Sequence, residues 1–221
     1  MSLSHFKYFY YNDYIMKPLP NLIPIFPLSG VIYFPKTNLP LNIFEQKYLD
    51  LVNDCIKKDK LMGMIQSKKR ERDVYKVGCL GKISDFKKND DGRILINLTG
   101  ITRFEVLEEK ENSKSYREFK VDYKKFNLDL EPNIERININ ILMKNIEYFF
   151  KKNGLLLNWK EFEKLELTQK INTLSMIAPI TNEEKQKLLE SISLKEKVDT
   201  LENIINFYLL QKGSLSNQTI Q

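Results

Sequence analysis

The residues of this 221-residue chain that could do chemistry are few, and their spacing argues against most of it. The nearest approach to a phosphate cradle is Gly78-x-x-Gly81-Lys82-Ile83. Such a cradle needs closely spaced glycine amides opening a helix and a hydroxyl after the lysine, whereas this stretch lies in a strand pattern and carries Ile83 at the hydroxyl position. The paired acids Asp90-Asp91 and Glu108-Glu109 fall in a turn and at a strand end, where solvated charge is the default. No GxSxG elbow is present, and abundant serines and lysines do not by themselves define a Ser-Lys pair. The one histidine, His5, sits in the N-terminal tail, which excludes a core histidine base or a histidine-rich metal site. Cys55 and Cys79 lack CxxC spacing and read as buried free thiols of a reducing cytoplasm. No catalytic, cofactor-binding or metal-ligating residue is therefore expected, and nothing points to an enzyme.

Charge also discriminates. The formal net charge of +6 invites a nucleic-acid partner, but the chain holds a single alanine, Ala178, and is crowded with Lys, Asn and Ile, a bias of coding composition. Its basic pairs stand beside acids or at loop ends. In the most basic stretch, SKKRERD (Ser67 to Asp73), Glu71 and Asp73 would repel phosphate, so RNA binding is the second reading and a solvated loop the first. No run approaches the ~18 apolar residues of a membrane span. The first 15 residues have no apolar h-region or small-residue cleavage site, so they do not read as a signal peptide, and Met16 is an alternative start.

The elements that must position any site come in two halves with different periods. From Leu22 to about Phe126 the pattern is that of strands: IPIFPL and GVIYFP around a Ser29-Gly30 turn, LMGMIQ, YKVGCLGKISDFKK, the turn Asn89 to Gly92, then RILINLTG, RFEVLEE and EFKVDYKKF. In LPLNIFEQKYLDLV (Leu39 to Val52) a strand runs directly into a helical pattern. Pro40 assigns that strand to an edge, Asn42 and Glu45 form an Asn-x-x-Glu cap signal, and Tyr48, Leu51, Val52, Cys55 and Ile56 fall at helical spacing. After Pro132 the period becomes helical. Ile134, Ile137, Ile141, Leu142, Ile146 and Phe149 make one stripe ending near Asn153-Gly154; Asn158 with Glu161, Thr181 with Glu184 and Ser193 with Glu196 are start signals. The expected division is a tail (1–19), a strand subdomain (20–126), a linker (127–133), a helical subdomain (134–212) and a C-terminal tail (213–221).

Four motifs in order, PLxxxxxFP (from Pro27), LPLxIFExxY (from Leu39), GxxRFxV (Gly100 to Val106) and EKQxLLE (Glu184 to Glu190), resemble the N-terminal substrate-binding domain of the Lon protease family over about residues 20 to 210. Each motif is weak alone; their joint order is specific. The resemblance implies an α+β fold, a PUA-like antiparallel β-barrel with one inserted helix, whose buried stripe would be Phe44, Tyr48, Leu51, Val52 and Ile56, followed by an α-helical bundle. It further implies a cytoplasmic, non-catalytic module that binds unfolded or exposed apolar polypeptide segments, as an adaptor or regulator of proteolysis, with polypeptide clients or a protease as partners. The expected binding surface is an apolar groove between barrel and bundle, with the edge strand open to strand addition. Ile43, as an apolar contact, and Glu45 and Lys47, as a charged rim, are the candidate peptide-binding residues. Lon's ATPase and Ser-Lys protease domains are not matched by these residues, and their activities are not carried over.

Overall fold

The computed structural model describes residues 18–68, 73–132 and 135–214, with side chains through Leu210. The N-terminal aromatic segment with Met16, the centre of SKKRERD, Ile134 and the end of the C-terminal tail lie outside the described residues.

Six strands, β1 (Leu22–Leu28), β2 (Asn38–Ile43), β3 (Leu61–Gln66), β4 (Val77–Lys88), β5 (Ile94–Lys110) and β6 (Arg117–Asp122), form one sheet. Helix α1 (Gln46–Ile56) lies between β2 and β3. A 3-10 segment (Lys124–Leu130) then leads to α2 (Asn140–Lys152), α3 (Trp159–Phe162), α4 (Leu167–Ile177), α5 (Asn182–Glu190) and α6 (Leu194–Ser214). The fold is mixed α+β. Strands pair in the order β2-β5-β4-β3-β1-β6, and β6 returns to β5. This closure works because β5 is long enough for two partners: Ile94 to Thr99 pair with β2, and Glu105 to Lys110 with β6. As Asp-Gly predicts, Asn89 and Gly92 turn β4 into β5, with Gly92 at φ +84.

One pairing departs from the antiparallel expectation. β1 and β3 run parallel, from Ile25 opposite Gly63 to Leu28 opposite Gln66. Parallel neighbours need a long crossover, and β2 with α1 supplies it, which is why a strand feeds straight into a helix. The helix starts at Gln46. Asn42 stays in β2 opposite Leu95, and the extended Glu45 makes no side-chain cap, so the Asn42 cap does not form. Leu51, Val52 and Cys55 are buried and Tyr48 and Ile56 are half-buried, but Phe44 is 66% exposed. It follows the inward-facing Ile43, and strand alternation turns it out.

GVIYFP also departs, being irregular rather than a strand. Ile32, Tyr33 and Phe34 are nevertheless buried, and the chain bends at Pro35 and at Lys36 (φ 60). Gly100 accommodates the bend, since a Cβ there would strike the Phe34 carbonyl. In the helical half, the α2 stripe is narrower than expected: Leu142, Ile146, Phe149 and Phe150 are buried, whereas Ile141 is 68% exposed and Ile137 packs from outside the helix. The Thr181–Glu184 capping box is complete, and Asn158 caps α3 through the Glu161 amide. Ser193 caps Glu196, whose carboxylate accepts from Ile192 instead of closing the box.

The motif GxxRFxV explains how the halves join. Phe104 packs with Ile23, Leu61, Leu80 and Phe119 in a core whose buried residues come from the ring strands. Its neighbour Arg103 points the other way, toward the helices. Its guanidinium donates to both carboxylate oxygens of Asp129, at 2.9 and 2.8 Å, and to the carbonyls of Leu189 (2.9 Å) and Ser191. The Phe126 ring stands 4.3 Å from it. Within the segment expected as a linker, residues 127–130 end the 3-10 segment, where Asp129 is bound into the interface and Asn127, Leu128 and Leu130 stay exposed. Gln186 adds a bond to the Val77 carbonyl, and Phe34, Val77 and Phe126 join the helical core.

Two mutations test this interface. Leu188 and Leu189 share that core with Leu201 and Ile205. Leu189→Asp should therefore lower stability by on the order of 3–5 kcal/mol, seen as a fall in the urea midpoint. Arg103→Met leaves a buried carboxylate without its partner and should cost about 3–5 kcal/mol. Adding Asp129→Leu should recover part of that loss in the same unfolding measurement.

Candidate functional site

A cleft of about 770 Å³ opens where β1 and β6 part. The sequence causes the parting. The Val121 amide donates to the Asn21 carbonyl, which sets the alternation so that residues 23, 25 and then 27 turn their backbone groups toward β6. Residue 27 is proline and has no amide hydrogen, so pairing ends at Ile25 opposite Arg117. Tyr48, on the first turn of α1, fills the gap. Its hydroxyl reaches the Pro27 carbonyl at a long 3.5 Å, and its ring meets Phe26 edge-on at 4.2 Å.

The facing wall is the turn before β6, tied down to α1. Ser115 donates to Asp50 at 2.7 Å and Tyr116 to Asp54 at 2.8 Å. The bonds from Ser115 and Gln46 hold the Asp50 carboxyl below its usual range, while burial, helped by Asp54, pushes the Tyr116 phenol up to about 12. Charge is confined to the rim as two ion pairs. On one side Lys47 lies 3.2 Å from Glu45 and 4.6 Å from the Tyr48 centroid. Partial burial works against the Lys47 ammonium, but Glu45 and Tyr48 outweigh it and raise its pKa. On the other side Arg117 grips Glu109 through two bonds of 2.7 Å, which lowers the Glu109 pKa. Ile25, Leu28, Ser29 and Ser67 complete the lining.

Of the residues expected at a binding surface, Glu45 and Lys47 line this cleft. Ile43 does not. It is 3% exposed and packs in the core beneath α1, because its place opposite Ile94 turns its side chain to the buried face. Phe44, which precedes Glu45 in the chain, is exposed, and Leu28 is an apolar residue of the lining. Sequence reading missed Tyr116, Arg117 and Glu109; the signal for the cleft itself was Pro27 inside a strand pattern. Along the joint between the halves, where an apolar groove is expected, Arg103 bonds to the Leu189 carbonyl and Phe34, Val77 and Phe126 pack into the helical core. The outer edge of β2 carries no strand partner among the described residues. The Gly100 amide donates to the Thr37 carbonyl, so residues 38, 40 and 42 point outward, and Pro40 interrupts the row of donors. Among the described residues, no group of three or more His, Cys, Asp or Glu could hold a metal, and no helix is long and apolar enough to cross a membrane.

A family model, the ATP-dependent protease La (LON) substrate-binding domain, matches residues 22–206. The chain belongs to this family. It is 25% identical to the Lon protease of Syntrophus aciditrophicus, over 92% of this chain and 27% of that protein. With the Lon protease of Dictyoglomus thermophilum it shares 27% identity over 88% of this chain and 25% of the relative. It thus spans about a quarter of the length of these curated relatives. A Lon N-terminal domain protein from Xanthomonas campestris has a similar solved structure, with a TM-score of 0.63 at 20% identity, covering 85% of this chain and 99% of that one. The N-terminal domain of a Mycobacterium avium complex Lon protease gives 0.62 at 13% identity, over 84% and 98%. These likenesses establish a Lon N-terminal domain fold.

In this Lon domain the cleft wall depends on the Tyr116–Asp54 bond. Tyr116→Phe should cost about 1 kcal/mol, the worth of one hydrogen bond. Amide exchange should quicken selectively in α1 and the 113–116 turn, as measured by mass spectrometry.

Proposed function

We propose that this chain is a non-catalytic recognition module for polypeptide segments, and that the cleft between β1, α1 and β6 is where they dock. The observation that carries the reading is the match to a substrate-binding domain over residues 22–206, in a chain with a cleft of about 770 Å³ rimmed by Glu45 and Lys47. The closed ring of strands is read as the PUA-like barrel, and the working role is that of an adaptor or regulator of proteolysis in the cytoplasm. Clients are expected to carry exposed apolar side chains, with Phe44 and Leu28 as their contacts.

Prolines at both open strand edges favour recognition by side chains over strand addition. Pro27 offers no donor and its carbonyl is taken by Tyr48; Pro40 interrupts the β2 edge. The Lys47–Glu45 pair is half-exposed and contributes little to folding, which leaves it free to exchange partners with a client, whereas the two-bond Arg117–Glu109 pair is held more firmly. ATP hydrolysis and proteolysis are not assigned to these residues, which contain no phosphate loop.

The test is capture of a fluorescently labelled, denatured model protein, followed by anisotropy. The wild-type chain should bind, and Glu45→Lys with Lys47→Glu should weaken binding several-fold. Stability should stay within about 0.5 kcal/mol, as for other surface substitutions. Undiminished capture by the folded double variant would move the site elsewhere, and no capture by the wild type would end the reading.

A further inference from the structure

Lys197, in the first turns of α6, is 3% exposed, an unusual place for an amine with no carboxylate of its own. Its Nζ makes one hydrogen bond, donating to Asn172 Oδ1 on α4 at 2.7 Å, and lies 5.3 Å from the centroid of Phe34. Asn172 is also buried, and its Nδ2 donates to the Pro35 carbonyl at 2.9 Å. One amine and one amide thus link α6 and α4 to the bend that feeds β2.

The surroundings fit a neutral amine. An ammonium has three hydrogens to place, and one acceptor is present. From β5 comes Arg103, a like charge. From the 3-10 segment comes Asp129, but both its oxygens are engaged by Arg103. From β4 comes the Cys79 thiol, which burial holds protonated. Within α6 itself, Glu196 and Asp199 are exposed and engaged by the Ile192 amide and Lys195.

We propose that this joint is a proton-controlled latch: uncharged Lys197 holds the helical half to the strand half through Asn172 and Pro35, and protonation loosens the hold. Burial, with Arg103 adding to it, lowers the Lys197 pKa from 10.5 to about 7. The folded value lies below the unfolded one, so between them the unfolded chain carries a proton that the folded chain lacks. Stability should therefore rise as pH climbs through that window, and the cost of burying the charge is fully present below it. The latch does not depend on what the cleft binds.

The experiment uses the full chain with lysines labelled at Cε, followed by NMR between about pH 6 and pH 9. One lysine signal should titrate near neutrality and vanish in Lys197→Met. Thermal unfolding of the wild type should move to higher temperature across the same range, and the variant should lose most of that shift. The Asn172 side-chain amide, protected by the Pro35 carbonyl, should exchange faster at the acidic end, although intrinsic exchange slows there. A Lys197 titration at the ordinary lysine value would overturn the proposal, as would an Asn172 amide equally protected at both ends. Should the methionine variant not fold, the wild-type titration and exchange decide alone.

Discussion

One guanidinium taken out of water sets the geometry on which the rest of the structure depends. Arg103 cannot shed its charge, so its burial is tolerable only if every nearby donor finds an acceptor at once. The acceptors come from places far apart in the chain: Asp129 on the 3-10 segment, and the last carbonyls of α5 at Leu189 and Ser191. Each must be in register with β5. A sliding or rotated helical half would leave a carboxylate or a cation unpaired in the interior. The same logic explains why Arg103 and Phe104 are neighbours: strand alternation sends one side chain into the ring core and the other into the helical interface. A few ångströms of sequence thereby anchor both halves. Lys197, in the same interface, is held differently, since an amine can lose its proton where a guanidinium cannot.

The second constraint is negative. Sheet edges attract other strands, and this fold leaves two edges incompletely paired: the outer side of β2, and β1 beyond Ile25. A proline occupies an outward position on each. At β2 it protects. At β1 it does more, because ending the β1–β6 ladder makes room for Tyr48 and leaves the cleft beside it. A site formed this way has walls of fixed structure, with Ser115 and Tyr116 bound to α1, and charges only at the rim. The walls keep their shape, while the half-exposed Lys47–Glu45 pair can reorganise at low cost.

How much of this was legible in the sequence follows from the range of the forces. Periodicity, proline and glycine punctuation and capping signals are local, so the strand and helix halves, the edge position of β2, the Asp-Gly turn, the α5 capping box and the Lon resemblance could all be read from residues near one another. Glu45 and Lys47 were legible as charges at a helix start. Their joint place on a cleft was not, because its other wall comes from Glu109 to Arg117. Local reading also failed wherever a distant partner outvoted a near one. Asn42 remained a strand residue because β5 pairs with it; Ile43 turned inward because it faces Ile94; the strand expected at GVIYFP gave way to a bend received by Gly100. The sequence by itself thus determined most of the strand and helix segments and the family to which they belong. Only the tertiary structure decided which faces meet, that β1 and β3 run parallel, and that Arg103 and Lys197 are buried. Those outcomes depend on hydrogen-bond and packing partners tens of residues away, which local spacing does not encode.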